Sequence, residues 1–167
     1  LTNAYAGQKV LIYDPSRCTA CGYCEIACAF KHYRSADPGK AYCHPLFDEK
    51  TEAFESILCQ HCELPLCARS CPSEAAAKDE KTGLIKINEM KCISCRTCTL
   101  TCPISHPRLE PERKSAVKCD FCDGDPQCAK FCSPRAIKVV DREEALRHLR
   151  RTYSSKETRG SEAIGRA

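Results

Sequence analysis

Cysteine carries the chemistry of this chain: it supplies 17 of the 167 residues, nearly all of them in four tight runs. The first run is Cys18, Cys21, Cys24 and Cys28. The second is Cys59, Cys62, Cys67 and Cys71, followed by Pro72. The third is Cys92, Cys95, Cys98 and Cys102, followed by Pro103, and the fourth is Cys119, Cys122, Cys128 and Cys132. Spacings of two residues let one loop wrap three corners of an iron-sulfur cube, whereas a fourth ligand from the same loop would have to reach the far corner. The fourth cysteine of each run is therefore expected to serve another run's cube. Runs two and three are adjacent and pair with each other, which leaves runs one and four to fold the chain's ends around the inner unit. The expected sites are Cys18, Cys21 and Cys24 with Cys132; Cys59, Cys62 and Cys67 with Cys102; Cys92, Cys95 and Cys98 with Cys71; and Cys119, Cys122 and Cys128 with Cys28. Four 4Fe-4S clusters are expected, three if one site takes zinc or stays vacant. The chain reads as an electron wire.

Zinc is the competing chemistry, because Cys-x2-Cys spacing is shared with zinc fingers. Zinc prefers two separated ligand pairs, however, and gives no reason for a run of four cysteines ending in proline. The least regular run is the fourth, where Ser133 separates Cys132 from Pro134 and five residues precede Cys128. Outside the runs, Cys43 with His44 offers an auxiliary ligand pair, set against an ordinary buried thiol. His61, between two ligands, either donates to a cluster sulfur or is an exposed spacer. His32, His106 and His148 are expected at the surface. No phosphate loop, dinucleotide fingerprint or nucleophile elbow is present, nor the Cys-x3-Cys-x2-Cys spacing of radical enzymes, so no catalytic residue is assigned.

Composition points the same way. A disulfide scaffold would need a secreted chain, and the count is odd. Val10 to Tyr13 is too short for a signal segment, and no apolar run approaches membrane-spanning length. A reduced, cytoplasmic setting is the expectation. Lysine and arginine exceed the acids by 4, but four cubes at roughly −2 each, thiolates included, bring the loaded protein to about −4. The basic balance is therefore no signal for nucleic acid.

The positioning elements are short. Val10 to Tyr13 reads as a strand ended by Asp14-Pro15, and Glu25 to Ala27 as a single helical turn. Residues 29–58 form an insertion with a Pro38-Gly39 turn, a break at Pro45 and an amphipathic piece from Thr51 to Leu58. Ala75 to Ala77 and Leu84 to Ile87 form a hairpin. A proline-rich loop leads to run four, Ala136 to Val140 is strand-like, and Asp141 to Arg151 has helical spacing. Val10–Cys28 repeats as Leu84–Cys102, and Cys59–Ala75 as Cys119–Ala136. The fold class is therefore α+β, a duplicated bacterial ferredoxin-like fold of two pseudo-symmetric 4Fe-4S modules with short hairpins and helical turns. The expected organisation is a four-cluster domain over residues 1–140, with an inner module at 57–104 and an outer module at 9–30 plus 117–140. A basic C-terminal helix and tail follow at 141–167.

The four-run pattern resembles the four-cluster electron-transfer subunits of molybdenum and tungsten oxidoreductases. Cys18 to Cys28, followed by Phe30, His32 and Asp37 to Ala41, is similar to small subunits of the tungsten aldehyde oxidoreductase family, which includes ATP-independent benzoyl-CoA reductase. Lys118 to Cys122 with Gly124, Asp125, Pro126 and Ala129 to Cys132 points there too. The resemblance implies a large catalytic subunit holding a tungsten or molybdenum pterin, and a further redox carrier, a ferredoxin or flavoprotein. The insertion and the basic helix, with Arg147, Arg150 and Arg151, are the candidate docking surfaces. A free polyferredoxin and a zinc-binding interaction module remain the alternatives.

Overall fold

The strands are too short to build more than two-stranded ribbons. In the computed structural model, which describes residues 8–49, 52–148 and 150, four such ribbons are present. The first joins the ends of the chain: β1 (Lys9–Tyr13) runs antiparallel to β8 (Ile137–Asp141), with Leu11 opposite Val139 and Tyr13 opposite Ile137. In the inner half, β4 (Ala76–Lys78) pairs with β5 (Ile85–Ile87), with Lys78 opposite Ile85 and Ala76 opposite Ile87. Under the internal repeat these are corresponding pairs in the same register. The helices correspond as well, since α1 (Tyr23–Tyr33) packs on α4 (Gln127–Lys130) as α3 (Thr97–Thr101) packs on α2 (Leu66–Arg69).

An isolated ribbon is marginal in water, so each must lean on something. Leu11, fully buried, and Ile137 pack with Leu58, Val117 and Phe121 and with Cys28, Cys128 and Cys132. Cysteines of the first and fourth runs thus form part of the core. The Asp14 side chain accepts from the Ser16 amide and Pro15 opens a 3-10 turn, which ends β1 and delivers the chain to Cys18.

Three expectations need correction. The helix after Cys24 is not one turn but eleven residues, because no glycine or proline interrupts it until Arg34 closes it in a left-handed cap, its amide bonded to Phe30 O. The insertion is not broken at Pro45, which opens β2 (Pro45–Asp48), the first position of a strand being one that tolerates a missing N–H. Its partner is β3 (Ala53–Ser56), where Phe54 faces Phe47 at 5.3 Å between ring centroids. The proline-rich loop contains a further ribbon, β6 (Arg108–Glu110) with β7 (Ser115–Val117), whose second strand is wholly buried. Residues 142–148 are helical, as the spacing predicts; Leu149 and the Arg151 side of that face lie outside the described residues.

Candidate iron-sulfur centres

Each cysteine loop is shaped by a residue in the left-handed region. Ala20, His61, Ser94 and Phe121, each immediately before the second cysteine of its run, have φ of 54°, 42°, 58° and 62°. Such a conformation costs a non-glycine residue about 1–2 kcal/mol and persists only where the surroundings demand it. Here it turns successive cysteines towards one concavity. Glu74 and Arg135, three residues after the last cysteines of runs two and four, share the conformation at φ 53° and 55°. Behind them Ala76 N donates to Cys71 Sγ at 3.4 Å and Ile137 N to Cys132 Sγ at 3.3 Å. Ser133, standing where run two has Pro72, therefore leaves run four with the same turn as run two.

Backbone amides also reach other cysteine sulfurs: Ala20 N to Cys18, Phe121 N to Cys119, Tyr42 N to Cys28 and Ala116 N to Cys92, at 3.2–3.4 Å. None of the 17 cysteines is in a disulfide. A sulfur-only donor set, wrapped by strained loops and met by backbone N–H groups, fits 4Fe-4S clusters bound through thiolates.

The structure brings the expected partners together. Cys18, Cys21, Cys24 and Cys132 line one cavity with Tyr13, Pro45 and Ile137. The sulfur of Cys67 lies in the field of Cys59, Cys102 and Cys62, and burial raises its thiol to about 11. Cys98, raised chiefly by burial, is in the field of Cys92 and Cys71, and Cys71 also acts on Cys95. Cys122 Sγ lies 3.7 Å from His32 Nε2, a ring that Cys28 also influences, and both Cys28 and Cys128 act on Cys43. Cys21, Cys62 and Cys95 are exposed, whereas Cys122 in the corresponding place of run four is buried.

Cys43 is 3% exposed and donates to Cys24 O at 3.5 Å. The neighbouring sulfurs of Cys128, Cys24 and Cys28, together with burial, raise its thiol well above the ordinary range. Cys43, assisted by His32 and the Tyr42 amide, draws Cys28 down to about 5 against its burial. Cys43 is thus a buried thiol among cysteines of the first and fourth runs. His44 is no partner to it: its Nδ1 faces Glu25 Oε1 at 2.9 Å.

The histidines need correction too. His32 is not a surface residue. Burial opposes its charge, but Cys122 at 3.7 Å, Cys28 and Asp120 raise it to about 10. It follows Cys28 by four residues on α1, a same-face spacing that was readable once the helix was seen to extend that far. His106 is half-buried with both ring nitrogens enclosed, and His148 is half-buried. His61 is no exposed spacer. It is 0% exposed, its Nδ1 accepts from Ile85 N at 2.9 Å, and its Nε2, which must then carry the proton, is enclosed without a partner. An orphaned N–H donor between two ligand cysteines fits a sulfur acceptor.

Comparison with known proteins shows the family. The model of the "4Fe-4S dicluster domain" matches residues 50–142, and that of the "4Fe-4S binding domain" matches residues 11–28. The chain belongs to the 4Fe-4S dicluster family. It binds 4Fe-4S clusters and is related to electron-transfer subunits of oxidoreductases. The polyferredoxin-like subunit of aliphatic sulfonate oxidoreductase from Pyrococcus furiosus is 34% identical, over 78% of this chain and 76% of its own length. The thiosulfate reductase electron transfer subunit PhsB of Salmonella typhi is 29% identical, over 94% and 90%. A solved structure, the active site complex BamBC of benzoyl coenzyme A reductase as isolated, is 24% identical over 79% of this chain and 76% of that chain, with a TM-score of 0.45. Among the described residues no helix is long and apolar enough to cross a membrane.

Proposed function

We propose that this chain relays electrons between a tungsten- or molybdenum-pterin catalytic subunit, of the benzoyl-CoA reductase or aldehyde oxidoreductase kind, and a further carrier, a ferredoxin or flavoprotein. The observation that carries this is the continuity of the cysteine sites. Cys43 touches ligands of the first and fourth sites, Cys119 lies in the field of Cys59 of the second, and the second and third exchange ligands through Cys71 and Cys102. Exposed Cys21 and Cys95 stand at the two ends of that series. Bound clusters supply reversible one-electron chemistry there; the chain's own residues space the sites, bury Cys122 of the fourth while leaving Cys62 of the second exposed, and aim N–H groups at their sulfurs.

The ligand sets are the four stated from the sequence, and the approaches described above support each. Duplication of the module, with an inner unit at 57–104 and an outer one at 9–30 plus 117–140, is supported by the matching registers and the matching left-handed residues. The pterin partner is supported by kinship with oxidoreductase subunits and by the Cys18–Cys28 stretch. Of the candidate docking surfaces, the hairpin of the insertion leaves Leu46 and Phe47 exposed. In the basic helix, by contrast, Arg142 is committed internally to Gln60 O and His61 O. Seventeen reduced cysteines suit a cytoplasmic setting.

Metal analysis of the complex purified anaerobically from its native host is the test. Tungsten or molybdenum co-eluting with about sixteen irons per chain is the expected result. Iron with neither a heavier metal nor a large subunit would leave a free polyferredoxin, and a colourless zinc protein would remove the electron-transfer reading altogether.

A further inference from the structure

The longest helix leaves an apolar face uncovered. Along α1, Tyr23, Ile26 and Phe30 recur at three- and four-residue spacing on one side of the helix, and are 58%, 38% and 53% exposed. Phe131, the C-cap of the adjoining α4, adds another ring at 57% exposed. With Lys31 and Arg34 they line a groove of about 560 Å³. Aromatic rings gathered in one concavity are the make-up of an interface rather than of ordinary surface. The module does not need them for its own packing, since under the internal repeat Thr97 stands in the place of Tyr23 and Ser70 in that of Phe131.

Tyr23 lies between Cys21 and Cys24, and Phe131 between Cys128 and Cys132, so the groove is built on the helices that carry ligands of the first and fourth sites, at the end where Cys21 is exposed. Its rim is cationic. Lys31 and Arg34 are exposed, with Arg34 5.8 Å over the Phe30 ring, and among the described residues neither is paired with a carboxylate. Asp123 and Asp125, the acids that feel the charge of Lys31, are paired instead with Lys86 and Lys130.

These features select the occupant. A second copy of the chain would set the same cations against this rim, and like charges across an interface repel. A permanently held subunit buries about 800 Å² or more on each partner, whereas a few apolar side chains suit the smaller contact of a passing electron carrier. A small cluster-bearing carrier is anionic around its cube, because the cube with its thiolates is net negative. Cations on the rim offset the repulsion between that cube and the one at the first site.

We propose that the groove between α1 and α4 docks the redox carrier, an acidic ferredoxin that seats an apolar ridge on Tyr23, Phe30 and Phe131 and its carboxylates on Lys31 and Arg34. One electron then passes between its cluster and that of the first site, one being oxidised as the other is reduced. The inference rests on the relay function proposed above and names the carrier's face.

The test is stopped-flow mixing of the oxidised holoprotein with a reduced, acidic plant-type 2Fe-2S ferredoxin, whose spectrum is distinct from that of a 4Fe-4S protein, at low and high salt. The variants are K31Q/R34Q, F30S/F131S and, at the opposite end of the chain, L100S, each checked for full iron content. K31Q/R34Q should lower the second-order rate constant by about tenfold at low salt and flatten its salt dependence. F30S/F131S should lower it by about as much at both salt concentrations, and L100S should leave it unchanged. Wild-type rates in both groove variants overturn the docking site while leaving the relay intact, and an equal fall in L100S overturns its placement. A wild type that dithionite reduces but the ferredoxin does not removes the ferredoxin carrier from the relay reading, and the inference with it. Loss of a co-purifying catalytic subunit in F30S/F131S, or a dimer on sizing that the same change dissolves, would assign the groove to those occupants and overturn the proposal.

Discussion

Exchange of the fourth cysteine between runs can be tested by counting iron. If Cys71 serves the third site, C71S and C95S each dismantle the same cube, and the double variant loses no more than either alone. If Cys71 instead closed its own run, C71S would be redundant with C62S. Each cube holds about four irons of a total near sixteen, so the exchange reading expects about twelve irons in C71S, in C95S and in C71S/C95S, but about eight in C71S/C62S. The exchange is proposed because Cys71 acts on Cys95 and Cys98, whereas Cys67 is in the field of Cys102. Two changes that share one site are non-additive, and two at separate sites add. C28S/C122S against C28S/C21S repeats the test in the outer half, with about twelve and about eight irons expected. The assay is colorimetric iron and acid-labile sulfide on anaerobically reconstituted protein, with absorbance near 400 nm as a second measure. About eight irons in C71S/C95S with about twelve in C71S/C62S would refute the exchange.

Two further outcomes follow from single groups. Gly83 sits at φ +69° with Gln8 Cδ only 2.7 Å from where a Cβ would lie, and Gln8 is held by Gly83 O and His61 O. G83A should therefore lose about 2 kcal/mol, from left-handed strain and a displaced hydrogen bond, read as a lower denaturant midpoint for iron release; an unchanged midpoint would show that Gln8 yields freely. Burial of His106, with Lys118 acting in the same sense, lowers it to about 4 from 6.5. Between those pH values the unfolded chain takes a proton that the folded chain refuses, so stability falls as pH drops through the window, by up to about 3 kcal/mol, and is unaffected above it. H106N should flatten that slope relative to wild type in parallel urea titrations, and identical slopes would count against it.

The sequence by itself determined the chemistry. Cys-x2-Cys-x2-Cys-x3-Cys is a local code: it sets how the seven-residue stretches Cys18–Cys24 and Cys92–Cys98 can wrap a cube, and the code holds wherever the loop is placed. The internal repeat was likewise legible, because cysteines align without reference to the fold. The β4–β5 hairpin could be read from its turn at Asp79 to Gly83, and β1 from its apolar run, since both are fixed by neighbours in the chain. The true length of α1 was hidden, since one turn was enough to connect Cys24 and Cys28 and nothing local demanded more. The β6–β7 ribbon was masked by prolines that flank it rather than interrupt it.

Only the tertiary structure decided what surrounds the sulfurs. That Cys43 meets Cys24 and that His32 reaches Cys122 ninety positions away follow from the β1–β8 pairing, which brings the first and last runs together, and Lys118 is enclosed where run four meets β5 at Ile85. Ligand identity depends on spacing along the chain, whereas the charges and hydrogen bonds that set a cluster's potential come from residues distant in sequence, which only the closed fold places beside it.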